Sequence, residues 1–413
     1  MVTHIGSAVP ITPLSGSPDH AVQRIRVCFI SPLGYGLYQP GSGCPFGGAE
    51  VQFFLLAHAL SEDPGFQVSV LTTVEGQPGL EQHGLITLIK RRRQNRLRAY
   101  QRYSWLQKPR ALKDYAAAFL EMRSLLSTID ADVYLHAGAG VEVGAYALIC
   151  RLLRRRFVYV VASSAEVVNT NGQVAGPLNW LFPVGLRLAT SIICRTQDQL
   201  TALQMCHRKS GILIRTGHPL PTSTPAEKST VLWVGRIHPV KQPKMFLDLA
   251  EHLPREKFVM VAMRSKAHES LTRVVRERAT RLSNLTLVED VAWADISRYF
   301  ESSKVLVNTS IYEGFPNTFV QAAMHRVAIV SWNVDPDGIF SHNRIGICAQ
   351  GSFERLVGSV EWLCKACHVR IEFGQRGLEY ARKYHDLSQS ATELKAFIRS
   401  LVADILLTSK RSQ

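Results

Sequence analysis

The stretch KVLVNTSIYEGFPNTFVQAAM, residues 304–324, contains one complete strand–loop–helix unit and decides the fold class. Its first part, KVLVNTS, is short and carries a continuous apolar run, which is typical of a strand buried on both faces. Glu313 follows in a loop with glycine and proline, and an apolar helical segment begins near Asn317. A buried strand that leads through a loop into a helix is the repeating unit of α/β proteins with parallel sheets.

The same unit recurs along the chain in two series. The strand-like segments are IRVCFIS (25–31), FQVSVLTT (66–73), ADVYLHAG (131–138), RFVYVVAS (156–163), TSIICRT (190–196) and GILIRTG (211–217), and then TVLWVGRI, KFVMVAM, NLTLVED, KVLVNTS and VAIVSW. The stretch TGHPLPTSTPAEKST (216–230) separates the series and has the composition of a linker. The sequence therefore predicts an α/β protein of two doubly wound Rossmann-like domains that face a central cleft. In such folds ligands bind beyond the carboxyl ends of the strands.

The chain divides into four expected parts. These are an N-terminal arm (1–23), two Rossmann-like domains (24–217 and 218–386), and a last helix (387–413) able to pack back on the N-terminal domain. A length of 413 residues is enough for two sizeable cores.

Composition predicts a cytoplasmic protein. The N-terminus lacks a basic start followed by an apolar core, and Pro183 and Arg187 break the most apolar later run, so neither a signal peptide nor a membrane span is predicted. The eight cysteines form no paired framework, which favours a reducing compartment.

The segment CKACH, residues 364–368, matches the attachment pattern of c-type haem. It lies in an apparent helix, FERLVGSVEWLCKACHV, in which Leu356, Val360, Leu363 and Cys367 form one inward stripe. The helical context favours ordinary core cysteines over haem or metal binding.

Positive charge is concentrated in one block. The net charge is +15, and residues 90–113 contain ten Lys or Arg, with no acid from Gln82 to Lys113. The cations are interleaved with Leu97, Tyr100, Tyr103, Trp105 and Leu106. Cations interleaved with aromatic rings suit a surface of anionic lipid, which is the partner that we predict. A solvated basic loop and nucleic acid are the alternatives, and we expect no nucleic acid.

Three loops at the predicted cleft carry polar or glycine residues. Gly47 and Gly48 immediately precede a helix, where backbone N–H groups can meet a phosphate, but the spacing lacks the G-x-G-x-x-G of a nicotinamide site. Arg236 and Lys241 follow a strand and can neutralise a diphosphate, although surface cations are the simpler interpretation of this pair alone. Glu313 lies in the third loop.

The helix after Glu313 offers a second phosphate contact. Pro316 suits its first turn, and the N–H groups of Thr318 and Phe319 are expected to be free to bind phosphate oxygens. Gln321 lies close enough to contact another part of the same ligand. A capped helix with an incidental acid is the alternative.

In this order, GGAE before a helix, GR followed by Lys241, and EGFPN before a helix resemble the retaining glycosyltransferases of family four, which have the GT-B fold. The resemblance extends from about Arg24 to the last helix. It implies that the N-terminal domain (24–217) is the acceptor side and that the C-terminal domain (218–386) binds the nucleotide sugar. It implies transfer of a sugar from a nucleotide-diphosphate sugar to an acceptor hydroxyl, with the anomeric configuration kept. It also implies no metal and no cofactor, because the nucleotide sugar is a co-substrate.

The resemblance implies roles for individual residues. Arg236 and Lys241 hold the donor diphosphate, and Glu313 contacts hydroxyls of the transferred sugar. The remaining donor-side residues are expected to line the loop and cradle the sugar and phosphate: Gly47, Gly48, Gly314, Phe315, Asn317, Thr318 and Phe319.

Two positions depart from the family pattern. Gln321 stands where the family has a glutamate that binds the ribose, so a weaker, uncharged hydrogen bond is expected there. His136 aligns loosely with a catalytic histidine, but its surroundings, HAGAG, are atypical, and a structural role is equally open. The loop VEDVAW (288–293) matches where the family seats the base.

The segment DPD, residues 335–337, resembles the metal-binding D-x-D of the other major glycosyltransferase fold. It follows a strand of the second domain, so we interpret it as a loop that flanks the donor end of the cleft, without metal.

The predicted function is that of a cytoplasmic hexosyltransferase, peripheral to the inner face of the membrane. Its expected acceptor is a lipid-linked or cell-surface glycan precursor in polysaccharide biosynthesis. A sugar-nucleotide epimerase or hydrolase of the same fold and a non-catalytic nucleotide-sugar-binding module remain the alternatives.

Overall fold

The computed structural model of the chain describes residues 24–73, 76–91, 108–168, 174, 178–221 and 227–410. The strands are β1 Ile25–Ile30, β2 Phe66–Thr72, β3 Leu80–His83, β4 Ile86–Lys90, β5 Val133–Ala137, β6 Arg156–Val160, β7 Ser191–Cys194, β8 Ile212–Leu213, β9 Thr230–Arg236, β10 Lys257–Met263, β11 Leu285–Glu289, β12 Ser303–Asn308, β13 Ala328–Ser331 and β14 Gly346–Cys348. The helices are α1 Tyr35–Tyr38, α2 Gly48–Ser61, α3 Lys108–Ile129, α4 Glu142–Leu152, α5 Ala165–Val168, α6 Leu181–Leu188, α7 Gln197–His207, α8 Pro243–His252, α9 Glu269–Ala279, α10 Ser297–Glu301, α11 Asn317–Met324, α12 Ile339–Asn343, α13 Phe353–Lys365, α14 Cys367–Tyr384 and α15 Leu387–Lys410.

The strands form two separate sheets. The N-terminal sheet has the order β3-β4-β2-β1-β5-β6-β7-β8, with β3 alone antiparallel to its neighbour, and the C-terminal sheet has the order β11-β10-β9-β12-β13-β14 with parallel pairs throughout. The predicted α/β class with two Rossmann-like domains is confirmed.

Each sheet has a core on both faces, as its apolar strands require. In β1, Val27 and Phe29 pack on one face, whereas Cys28 and Ile30 pack on the other. A strand covered on both sides must be apolar at every position, and this is why the strand segments were recognisable as continuous apolar runs. The C-terminal sheet likewise separates two clusters.

The last helix, α15, lies against the N-terminal domain. Ala391, Leu394 and Ile398 are buried in the same core cluster as β1 and α2. The chain crosses between the domains twice, first near His218 and again near Leu387. Hydrogen bonds join the two crossings: the N–H of His218 donates to the His385 carbonyl at 2.9 Å, and the N–H of Leu387 donates to the His218 carbonyl at 3.1 Å.

The predicted continuous helix through CKACH is wrong at its end. The structure ends α13 at Lys365 and starts α14 at Cys367, because Ala366 leaves helical geometry with φ −82° and ψ 72°. Leu356, Val360 and Leu363 are fully buried as expected, but the break turns Cys367 to the exposed surface.

The basic block lies mostly outside the described residues. At its start, Lys90 Nζ donates to the Gln77 carbonyl at 2.7 Å, and Arg91 Nη1 donates to the Tyr146 hydroxyl at 2.8 Å. These two cations therefore contact the protein itself. In the described part of the chain, every helix is too short or too polar to cross a bilayer.

Candidate active site

A cleft of about 460 Å³ separates the two domains at the carboxyl ends of both sheets. Ten of the predicted site residues line it: Gly47, Gly48, Arg236, Lys241, Glu313, Gly314, Phe315, Asn317, Thr318 and Gln321. His136 and Phe319 are buried and are not among the lining residues. The cleft is thus where parallel-sheet geometry places it.

Arg236 and Lys241 enter the cleft from the C-terminal domain. Arg236 is the last residue of β9, and Lys241 is the last residue of a short 3-10 helix, Pro239–Lys241. Lys241 Nζ forms an ion pair with Glu313 Oε1, whereas Arg236 forms no ion pair with any described residue. A half-buried guanidinium without a carboxylate is free to bind an anion in the cleft.

The backbone around this pair is fixed by hydrogen bonds. Thr309 Oγ1 donates to the Lys241 carbonyl at 2.6 Å, and Trp233 Nε1 donates to Thr309 Oγ1 at 2.9 Å. Ser310 Oγ donates to Glu313 Oε1 at 2.6 Å. The cation and the carboxylate therefore occupy set positions, which lowers the cost of organising a charged site.

One predicted donor at the start of α11 is already occupied. The N–H of Phe319 donates to the Pro316 carbonyl at 3.0 Å, so the expectation that it is free for a phosphate is wrong. The tight turn at Pro316 brings that carbonyl back onto the helix, and the Phe319 ring is buried in the domain core. Within the described residues, no acceptor takes up the N–H of Thr318, which leaves it available.

Asn317 holds the two domains together. Its Nδ2 donates to the Gly48 carbonyl at 2.7 Å, and its Oδ1 accepts from Gln52 Nε2 at 2.9 Å. Gln52 also exchanges hydrogen bonds of 3.0 Å with the backbone of Gly217 at the first crossing. Gln52, which the sequence did not single out, therefore links α2, the crossing and α11.

The loop that contains Glu313 touches the opposite wall of the cleft. The N–H of Ser164 donates to the Glu313 carbonyl at 3.1 Å. A Cβ at Gly314 would lie 2.5 Å from the Ala162 carbonyl oxygen, so only glycine permits this approach. The described conformation is consequently a closed one.

The carboxylates of DPD are used in hydrogen bonds. Asp337 accepts from the N–H groups of Gln197 and Asp198 at 3.1 and 3.0 Å and pairs with Arg215 at 3.2 Å. Asp335 accepts from the Phe340 N–H at 3.1 Å. Asp337 thus caps α7 of the other domain, where an acid is favoured by the free N–H groups.

His136 is the last residue but one of β5 and is 7% exposed. Its Nδ1 is 3.1 Å from the Ile30 carbonyl, and its ring packs on Tyr146. Burial lowers the pKa of His136 below its ordinary value, so the ring is neutral near pH 7. Its neighbours Ala137 and Gly138 line the cleft in its place.

The predicted base loop closes one end of the cleft. Val291 and Trp293 of this loop line the cleft, as does Ile296 beyond its end. The Trp293 ring also packs edge-on against Phe54 of α2, with ring centres 5.6 Å apart. This end of the cleft is therefore apolar and bounded by both domains.

Two buried ionisable residues of the N-terminal domain, Glu166 and Arg195, are not predicted from the sequence. Glu166 accepts from the Tyr159 hydroxyl at 2.7 Å and from the Ala162 N–H at 2.9 Å, and burial raises its pKa to about 7. Arg195, which is 6% exposed, lines the cleft. No motif marks either one, because each follows an ordinary strand. Across the described residues no group of three His, Cys, Asp or Glu side chains could hold a metal ion.

The C-terminal domain matches a known family. Residues 228–366 match the family model described as Glycosyl transferases group 1. No curated protein sequence gives a significant match to the chain.

Solved structures share the fold over nearly the whole chain. Sucrose-phosphate synthase from Thermosynechococcus elongatus is similar, with a TM-score of 0.73 and 15% identity over 92% of this chain and 100% of that one. HepE of Anabaena, in complex with UDP and glucose, has a TM-score of 0.66 and 15% identity over 91% and 100% of the two chains. An α,α-trehalose-phosphate synthase (UDP-forming) from Burkholderia vietnamiensis has a TM-score of 0.67 and 11% identity over 92% and 100%. The chain has the GT-B fold, and its C-terminal domain is that of a glycosyltransferase.

Proposed function

We propose that this glycosyltransferase is a retaining, metal-independent hexosyltransferase that uses a nucleoside-diphosphate sugar. The observation that carries the proposal is the arrangement of Arg236, Lys241 and Glu313 beside the free N–H of Thr318 at one wall of an interdomain cleft. A diphosphate needs cations and N–H donors, and a sugar needs a fixed carboxylate to accept from its hydroxyls.

The chemistry follows from these positions. The bond between the anomeric carbon and the diphosphate oxygen breaks, and its electrons remain on the leaving diphosphate. Arg236 stabilises that growing charge, and Lys241 assists while Glu313 holds the sugar. The acceptor oxygen attacks from the same face as the departing diphosphate, whose oxygen takes the acceptor proton.

The decisive experiment combines binding with product analysis. UDP should raise the melting temperature of the protein, because a ligand of the folded state stabilises it. The Arg236→Met variant should lose most of this shift, and the Gly358→Ala variant, at an open helix position, should keep it. Unchanged UDP binding by Arg236→Met would refute the assignment of this cation to the diphosphate.

Product analysis distinguishes transfer from its alternatives. A transferase consumes donor only with acceptor present and yields a product that keeps the anomeric configuration, which NMR reports. Donor loss without acceptor would instead indicate a hydrolase or an epimerase.

A non-catalytic binding module is the second candidate, because Gln321 lines the cleft where the resembling family has a ribose-binding glutamate. The Gln321→Glu variant separates the two. If the glutamine merely weakens donor binding, the acid should raise UDP affinity and turnover together. Binding that strengthens while turnover stays absent would support the module.

For the acceptor, we propose a lipid-linked or cell-surface glycan precursor, with the enzyme in the cytoplasm and peripheral to the membrane. The support is the block of ten cations at residues 90–113 in the domain opposite the donor wall. Replacing the cations of residues 92–102 by glutamine should abolish sedimentation with phosphatidylglycerol vesicles. A control that replaces the exposed Arg273 and Lys365 of the C-terminal domain should sediment normally. Unchanged sedimentation of the block variant would refute membrane association through this segment.

A further inference from the structure

Arg195 is a cation in the N-terminal wall of the cleft, and it has no role in the proposed donor site. It directly follows β7, and its side chain is 6% exposed yet contributes to the cleft lining. The donor cations Arg236 and Lys241 belong to the opposite domain. The cleft therefore presents positive charge from two walls.

Among the described residues, no carboxylate neutralises the charge of Arg195. Its Nη1 donates to the Ile214 carbonyl at 3.1 Å, and no carboxylate of the described residues lies within ion-pair distance. Arg215, which directly follows Ile214, is by contrast paired with Asp337. A guanidinium has five N–H donors, and one carbonyl satisfies only a part of them.

A buried cation without a counter-charge destabilises the folded protein. Removal from water disfavours a charged group strongly unless an opposite charge compensates. Burial lowers the pKa of Arg195 to about 10, so the group still carries its charge at neutral pH. An anion bound beside Arg195 would compensate this charge and so stabilise the folded protein.

Hydrogen bonds at the start of α7 fix the backbone of Arg195. Its N–H donates to Gln199 Oε1 at 2.8 Å, and Thr196 Oγ1 accepts from the Gln199 N–H at 3.1 Å at the start of α7. Asp337 of the other domain occupies the remaining N–H groups at the tip of α7. This end of α7 therefore has no free N–H group for an anion, whereas the side chain of Arg195 keeps free donors.

We propose that Arg195 forms a second anion subsite, separate from the donor diphosphate site, that binds a phosphate group carried by the acceptor. A guanidinium binds two phosphate oxygens at once, which orients the acceptor as well as holding it. The inference rests on the proposed function, in which the N-terminal domain receives the acceptor. The phosphate belongs either to a free sugar phosphate or to a lipid phosphate.

The test measures phosphate binding while UDP occupies the donor site. With saturating UDP, inorganic phosphate should add a second rise in melting temperature to that caused by UDP. The Arg195→Met variant should keep the UDP shift and weaken phosphate binding by at least about tenfold, as expected for a lost charged hydrogen bond. Equal phosphate binding by the variant, or competition between phosphate and UDP for one site, would overturn the proposal.

The two proposals fail in distinguishable ways. Absence of a UDP shift in the unmodified protein counts against the proposed function, whereas phosphate binding that is insensitive to Arg195 counts against the subsite alone. Glucose 6-phosphate and vesicles with polyprenyl phosphate then identify the source of the phosphate. Loss of either interaction in Arg195→Met supports the subsite, and retention of both refutes it.

The stability of the ligand-free variant provides an independent readout. Because Met removes an uncompensated buried charge, the ligand-free Arg195→Met protein should melt at or above the temperature of the unmodified protein. A large drop would show that Arg195 is a structural residue instead. Should Met prevent folding, Arg195→Lys decides the question: weaker phosphate binding supports the subsite, and unchanged binding contradicts it.

Discussion

The substitution Gly314→Ala should open the cleft without unfolding either domain. The new Cβ would lie 2.5 Å from the Ala162 carbonyl oxygen, about 0.9 Å closer than the 3.4 Å at which ordinary contact begins. The obstacle is backbone, which cannot rotate aside, and it belongs to the opposite domain. The strain therefore acts between the domains and is relieved when they separate.

The magnitude follows from the cost of overpacking. One extra methyl group in a packed site costs about 1–3 kcal/mol. Since each 1.4 kcal/mol corresponds to a factor of ten in an equilibrium constant, UDP should bind roughly 5- to 150-fold more weakly if binding requires the closed form. The hydrogen bond from Ser164 to the Glu313 carbonyl would be lost with the contact.

Two further glycines serve as matched controls. Gly374→Ala places a Cβ 2.4 Å from the Arg326 carbonyl within the C-terminal domain, so this variant should melt at a lower temperature. Gly358→Ala lies in the exposed interior of α13 with nothing within 4 Å of its Cβ, and alanine should stabilise that helix slightly.

The assay combines calorimetric titration of UDP, thermal melting and small-angle scattering of the three variants. We expect Gly314→Ala alone to combine a normal ligand-free melting temperature with weak UDP binding and a larger radius of gyration. UDP affinity within twofold of the unmodified protein would show that the closed contact at Ala162 is not part of the ligand-bound state.

Three other predictions concern stability. Burial raises the pKa of Glu166 from 4.5 to about 7, so the folded state keeps a proton that the unfolded chain releases. The stabilisation from this group is therefore complete below pH 4.5 and falls by about 3 kcal/mol as the pH rises through 7. The free energy of unfolding of Glu166→Gln, measured by chemical denaturation, should lack this decline, and parallel curves of stability against pH for the two proteins would contradict the shift. Asp337→Asn removes the ion pair with Arg215 and weakens the cap of α7, so the contact between the domains should lose about 1–3 kcal/mol of stability. Proteases should then cleave the chain between the domains faster. Cleavage at the rate of the unmodified protein would show that Asp337 does not hold the domains together. Leu394→Ala removes a side chain of α15 from the N-terminal core and should lower the free energy of unfolding by about 2–5 kcal/mol in urea melts. A loss below about 0.5 kcal/mol, which is typical of a surface substitution, would mean that α15 does not pack on this domain in solution.

The sequence by itself determined the architecture and the donor wall of the cleft. Continuous apolar runs predict strands that are covered on both faces, and parallel strands bring their carboxyl ends to one edge of a sheet. Arg236, Lys241 and Glu313 could therefore be placed together before any distance was known, because each lies at or beyond the carboxyl end of a strand of the same sheet. That argument needs only local periodicity and the geometry of the βα unit.

Only the tertiary structure decided how the two walls meet. The bond between Gln52 and Asn317, the cap from Asp337 to α7 and the close approach of Gly314 join residues more than a hundred positions apart. Arg195 is notable only because no carboxylate of the described residues pairs with it, and the absence of a neighbour leaves no mark in a sequence. Contacts between domains depend on the relative orientation of two separately packed bodies, which the periodicity within each one does not encode.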